Sequence, residues 1–285
     1  MTGHNRVNLL PPACRKNEPA DPAELAREIS GEARSRTGLL LFMSYQGMFV
    51  PSVPDPRCAG LPLLVRGALV ALATTPATRV VVLSGEDACD LEIRINVPGV
   101  IYAGCRGLQI HGAGIAFCHP AAAGLRETLP LLTQELSERL SAVPGVHVET
   151  KELGVTIHTR RVDPSAVPVI VAEAEELRGT AAAGFKVCRS ESAVDLVPDV
   201  DWGKDSSALW VLEQWAQEGR GQPAVVYLGD DDADEEAYVA LRERGYAVHV
   251  GRPAAAAPHW VIDRAAAIDL LAQIAFAWRV HSVDS

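Results

Sequence analysis

The sequence predicts an α/β fold, a parallel sheet wrapped by helices and interrupted by a smaller α+β insert. Three observations predict it. Short uninterrupted apolar runs such as Gly38-Leu39-Leu40-Leu41-Phe42-Met43 and Arg79-Val80-Val81-Val82-Leu83 have the length and texture of strands buried on both faces. A segment with helical spacing, Leu61 to Ala73, lies between those two runs, so the order is strand, helix, strand. The texture then changes after Cys105 to alternating, half-polar strands, and changes back near Cys188.

Taken in order, residues 1–37 form a polar leader with Pro11-Pro12, followed by a charged helix over Asp21 to Arg36. The leader has no apolar stretch of signal-peptide type. The core is expected over 38–105 and 188–285, and the cap, an α+β insert, over 106–187. Within the cap, Ala121 to Ala142 reads as one amphipathic helix, with Leu125, Leu129, Leu132, Leu136 and Leu140 on one face. Val146 to Glu149 and Val155 to Thr159 alternate as antiparallel strands do, and Pro168 to Leu177 is a second helix. The core resumes with a helix over Ser206 to Gln217, a buried strand over Ala224 to Leu228 and a helix over Asp234 to Arg244. A strand over Ala247 to Val250 and a helix over Ala266 to Trp278 complete it.

Composition narrows the function. The formal net charge is −10, which disfavours nucleic acid and anionic membrane as partners. No run approaches the roughly 20 apolar residues of a membrane helix. The six cysteines, Cys14, Cys58, Cys89, Cys105, Cys118 and Cys188, contain no CxxC pair and read as reduced thiols of a cytoplasmic protein. The abundance of Ala, Val, Arg and Gly suits a GC-rich bacterial genome.

Three predicted strand ends carry polar clusters: Ser44-Tyr45-Gln46-Gly47, Ser84-Gly85, and Gly229-Asp230-Asp231-Asp232-Ala233-Asp234-Glu235. Ligands of open α/β sheets sit beyond the carboxyl ends of the strands. The crowded carboxylates of the third cluster suit a hard divalent cation such as Mg²⁺. They equally suit the N-terminus of a helix, which carboxylates cap and complement.

Gly229 to Tyr238 resembles the GDDxTDExAF signature of trehalose-6-phosphate phosphatases, a family of the haloacid dehalogenase superfamily, with Ala233 in place of Thr. Val80 to Leu91 resembles that family's VxxLSGRxxxDL, with Glu86 for Arg. Val100 to Ile110 resembles GxxYAGSHGxE(I/L), with Cys105, Arg106 and Gln109 substituted. Val148 to Arg160 and Leu196 to Leu212 match two further segments in the family's order. The resemblance implies a haloacid-dehalogenase-like Rossmannoid core with an inserted α+β cap. It places the catalytic positions at Ser44, Gln46 and Lys204 and the metal positions at Asp230, Asp231 and Asp234. Substrate contacts fall at Ser84, Gly85, Arg106, Glu149, Lys151, His158 and Arg160.

The family's first motif is DxDGT, whose first Asp attacks phosphorus and whose second moves the proton. Those positions are Ser44 and Gln46 here, and Met48 stands for the Thr. The segment Ser190 to Asp195 aligns with GRKxxE, so two cations have become Glu191 and Ser192. Mg²⁺ is therefore expected to bind weakly or not at all, and Lys204 to neutralise the acidic cluster in its place. Three readings stay open. One is a pseudoenzyme binding a small polar or polyol ligand or a protein partner; another is the same pocket turned to a non-phosphatase reaction. The third is residual phosphatase activity. Cys105 reads as an inert small residue.

Overall fold

The computed structural model describes residues 18–45, 48, 61–190 and 193–282. Gln46, Glu191, Ser192, Cys14 and Cys58 lie outside the described residues. The helices and strands follow in chain order as α1 (Pro22–Ser35), β1 (Leu39–Ser44), α2 (Leu63–Ala73), β2 (Thr78–Leu83), α3 (Ala88–Ile95) and β3 (Val100–Gly104). Next come β4 (Gln109–Gly112), β5 (Ile115–Cys118), α4 (Pro120–Ala123), α5 (Leu129–Arg139), β6 (His147–Lys151), β7 (Gly154–His158), α6 (Val167–Thr180), β8 (Phe185–Arg189) and β9 (Ala193–Pro198). The chain ends with α7 (Lys204–Gln217), β10 (Ala224–Gly229), α8 (Glu235–Leu241), β11 (Gly245–Val250), β12 (His259–Val261) and α9 (Arg264–Ser282).

The larger sheet has the order β12-β11-β10-β1-β2-β3-β4-β5. Its strands from β12 to β3 pair in parallel, and β4 and β5 add an antiparallel hairpin at one edge. Every residue of β1 is buried, because β1 is central and both faces are covered. Leu39, Leu41 and Met43 face α1, α2, α3 and α9; Leu40 and Phe42 face α7 and α8. The period-2 alternation of the strand divides one apolar run between two cores. Asp21 starts α1 by accepting from the Glu24 N–H (2.8 Å) ahead of Pro22 at the first turn.

The smaller sheet, β6-β7-β9-β8, is wholly antiparallel and carries α5 and α6 on one face. Its membership shifts the expected boundaries of the insert. Residues 109–118, read as cap, form a hairpin whose first strand pairs with β3 of the larger sheet, and residues 193–198, read as core, pair with β7 and β8. The reason is that a four-residue alternating strand looks the same in either sheet. The single helix expected over 121–142 is three pieces, α4, a 3-10 turn over 126–128, and α5. Pro130 sets the break: it lacks an N–H and sits in the first turn of α5.

Candidate functional site

The parallel order β10-β1-β2 brings three carboxyl ends side by side, and with them Ser44, Ser84 and the turn that follows Gly229. Asp234 is the hub and is fully buried. Its Oδ1 accepts from Ser44 Oγ (2.8 Å), Lys204 Nζ (2.7 Å) and the Tyr227 hydroxyl (2.7 Å). Its Oδ2 accepts from the backbone N–H groups of Asp230 (3.0 Å) and Asp231 (3.2 Å). Burial pushes the carboxyl pKa up, but the charge of Lys204 and the bonds from Lys204, Tyr227 and Ser44 outweigh it, so Asp234 is held below its ordinary value. Lys204 also donates to Asp231 (3.1 Å) and to Ser44 Oγ (3.1 Å). Gly229 is required here: a Cβ would stand 2.4 Å from Asp234 Oδ2.

This geometry fixes what Ser44 can do. Its proton goes to Asp234 and its oxygen accepts from an ammonium group. Lys204 Nζ bridges two carboxylates and donates to Ser44 Oγ, so all these contacts are made as a donor. Asp234 is a weak base because five donors already satisfy it. Ser44, 3 % exposed, has its hydroxyl engaged as donor and as acceptor. Asp230 differs: burial first, then the charges of Asp234 and Asp231, raise its pKa to about 7, and its Oδ1 has no partner.

Over these strand ends lies an open cleft of about 210 Å³ between the two sheets. The larger sheet contributes Ser44, Tyr45, Ser84, Gly85 and the turn with Cys105 and Arg106; the smaller contributes Lys151, Thr156 and Asp195. Lys204 and Asp231 also line it. Three expected cap contacts are not brought in. Glu149 and His158 pair with each other across β6 and β7 (2.7 Å), and Lys151 joins Glu149 (2.8 Å). The His158 bond, with Lys151, outweighs burial and lowers Glu149 to about 2. Arg160 is exposed beyond β7 and does not line the cleft. Glu149 and His158 point along the cap sheet because they satisfy each other there.

Cys105 is inert. Its thiol donates to Asp87 Oδ1 (3.1 Å), and burial together with that carboxylate raises its pKa far above the ordinary range. Tyr227, Tyr45, Thr156, Asp195 and Asp87 were not singled out by sequence reasoning. One signal was present for Tyr227: a tyrosine inside a buried apolar strand needs a partner for its hydroxyl.

The family model for trehalose-phosphatase matches residues 42–259, spanning both sheets and the cleft. The chain belongs to the trehalose-phosphatase family. It is 32% identical over 251 residues to a trehalose-phosphate phosphatase of Mycobacterium tuberculosis (strain H37Rv), covering 87% of this chain and 60% of that protein. It is 33% identical over 251 residues to a trehalose-phosphate phosphatase of Mycobacterium avium, covering 85% and 58%. The chain therefore spans about 60% of the length of these curated relatives. Among solved structures, the C-terminal domain of Candida albicans trehalose-6-phosphate phosphatase superposes with a TM-score of 0.73 at 19% identity, covering 90% of this chain and 98% of that one. That likeness shares the α/β fold.

Haloacid dehalogenase phosphatases of this trehalose-phosphatase type use Mg²⁺, and the described residues do not fit that ion. Mg²⁺ demands near-octahedral oxygen ligands. Both oxygens of Asp234 are taken by donors, and the Lys204 ammonium bridges Asp231 and Asp234. Asp230 Oδ1 is a buried acceptor without a partner among the described residues. Among the described residues, no group of three or more His, Cys, Asp or Glu side chains has a metal-holding arrangement.

Proposed function

We propose that this trehalose-phosphatase-family chain does not hydrolyse phosphomonoesters and uses the family's pocket to bind a small polar, polyol-type ligand. The observation that carries this reading is the closed hydrogen-bond circuit of Ser44, Lys204, Tyr227 and Asp234. Phosphoryl transfer of this kind needs an anionic nucleophile, a proton carrier and a cation. In the circuit the hydroxyl is a donor, the amine is a cation and the carboxylate is saturated. The relatives' name, trehalose-phosphate phosphatase, points to hydrolysis; the serine at position 44 and the glutamine at 46 weigh against carrying that activity over.

The test is phosphate release from trehalose 6-phosphate with Mg²⁺ in excess. The expected rate is the uncatalysed background. Turnover on the order of 1 per second, lost in Ser44→Ala, would overturn the reading.

The cleft itself favours a second reading, a different reaction in the same pocket. It is open and polar instead of being plugged by side chains. A metabolite mixture incubated with the protein and followed by mass spectrometry tests this; a mass change that disappears in Lys204→Met would favour catalysis over binding.

A further inference from the structure

Arg106 is the one cationic side chain of the cleft that has no carboxylate partner among the described residues. It half-fills a wall of the cleft, and its guanidinium makes no hydrogen bond or ion pair with any described residue. Most other arginines of this acidic chain are engaged. Arg79 holds Glu218, Arg94 holds Glu86, Arg126 holds Glu152, and Arg66 caps the carbonyl end of α3.

The backbone spends conformational strain to place it. Cys105 (φ 50°), Arg106 (φ 59°) and Gly107 (φ 89°) form three successive left-handed residues, two of them with side chains that disfavour that region. The turn is held by the Cys105 N–H to Glu86 carbonyl bond (2.7 Å) and the Arg106 N–H to Ser84 carbonyl bond (3.0 Å). On its far side the Gly107 carbonyl accepts from Trp202 Nε1 (2.8 Å). The backbone of Arg106 is therefore fixed at the wall of the cleft, with the side chain free to meet a ligand.

The charges lining the cleft say what it would hold. Lys204 is neutralised by Asp231 and Asp234, and Lys151 by Glu149. Asp195, on the smaller sheet, accepts only from Thr156 Oγ1 (2.7 Å) and keeps acceptor capacity. Among the described residues, one cation on the larger sheet and one carboxylate on the smaller sheet are thus left without an ion-pair partner, the cation to meet a ligand's charge and the carboxylate to accept from its hydroxyl groups.

We infer that Arg106 anchors a singly charged planar oxyanion, the carboxylate of a small polyhydroxylated acid, in this cleft. The inference rests on the binding role proposed above. A guanidinium fork matches a carboxylate in a bidentate manner. A phosphate dianion brings a second charge for which the cleft has no further uncommitted cation among the described residues.

The experiment is calorimetric titration of the full chain with sodium glucuronate, glucose and glucose 6-phosphate. Glucuronate should bind with Kd on the order of 1 mM or tighter, and glucose at least about tenfold more weakly. Arg106→Gln should lose at least about tenfold in glucuronate affinity while its ligand-free melting temperature stays unchanged, since the guanidinium holds nothing in the fold. Arg106→Lys should recover part of the loss, keeping the charge but not the fork. Equal binding of glucuronate and glucose, unchanged affinity in Arg106→Gln, or no binding of glucuronate would each overturn the inference. Tighter binding of glucose 6-phosphate than of glucuronate would overturn the single-charge assignment. Phosphate release measured in the glucose 6-phosphate samples separates the two proposals: turnover with the Arg106 results intact removes only the loss of hydrolysis.

Discussion

Asp234 shows how a residue read as a metal ligand becomes a structural one. The choice between cation and internal salt bridge turns on where Lys204 reaches and on whether Tyr227 faces the cluster, and neither is written in the local sequence. Thirty residues separate Lys204 from Asp234, and the packing of α7 against α8 and the 3-10 turn over 232–234 closes the distance. The acidic run and Lys204 as its cation were legible; the Tyr227 hydroxyl was not. Removing the buried carboxylate while keeping its shape leaves Lys204 and Tyr227 without their acceptor. Asp234→Asn should therefore cost about 3–5 kcal/mol, the range for breaking a buried ion pair. Tyr227→Phe removes one bond to a charged group and should cost about 1.5–3 kcal/mol. The pH dependence follows from the lowered pKa of Asp234. Its contribution is full above the unfolded-state pKa of about 4 and is lost as the pH falls through the lower native value. The gap between wild type and Asp234→Asn should accordingly narrow in acid. Denaturant titrations at pH 7 and at pH 3 check this; a gap that widens in acid would show that Asp234 is not the ionised hub.

Among the elements, the turn after β3 does the most to shape the cleft. Gly107 is the position that permits it. Its φ of 89° is left-handed, and a Cβ there would lie 1.7 Å from Ser207 Oγ on α7. Gly107→Ala must push α7 away or flatten the turn, so it should destabilise the fold by about 1–3 kcal/mol and displace Arg106 from the cleft. Thermal unfolding measures the first effect; unchanged stability would mean that α7 yields freely. The strand-and-helix skeleton around this turn was legible because buried parallel strands are continuous apolar runs and their helices repeat at 3.6 residues. The short antiparallel strands were less so. Val194 and Leu196 are buried while Asp195 and Val197 are half-buried, an alternation that fixes a strand but not the sheet it joins. The resemblance places Glu149 and His158 among the substrate contacts, yet the two pair with each other across β6 and β7.

At the scale of the molecule, the cleft exists because two separately packed sheets meet at the carboxyl ends of β1, β2 and β10. The order of motifs along the chain made that division legible, but the fastening between the halves was not. Asp87 supplies a fastening. It stands at the start of α3, and its Oδ1 accepts both from Cys105 Sγ (3.1 Å) in the core turn and from the Glu152 N–H (3.0 Å) in the β6–β7 hairpin. One oxygen thus ties the smaller sheet to the turn that carries Arg106. Asp87→Ala should leave each sheet folded and loosen their connection. The Glu152 N–H is partly exposed, so water replaces part of the lost bond and the cost should lie near the low end of about 1–3 kcal/mol. Hydrogen exchange resolves the distribution. Residues 152–156 should exchange faster in Asp87→Ala, whereas β1 and β2, packed on both faces, should keep their protection. A uniform rise across both sheets would mean that Asp87 supports the core itself. No change in the hairpin would mean that the halves are held elsewhere, and that the cleft keeps its shape without this oxygen.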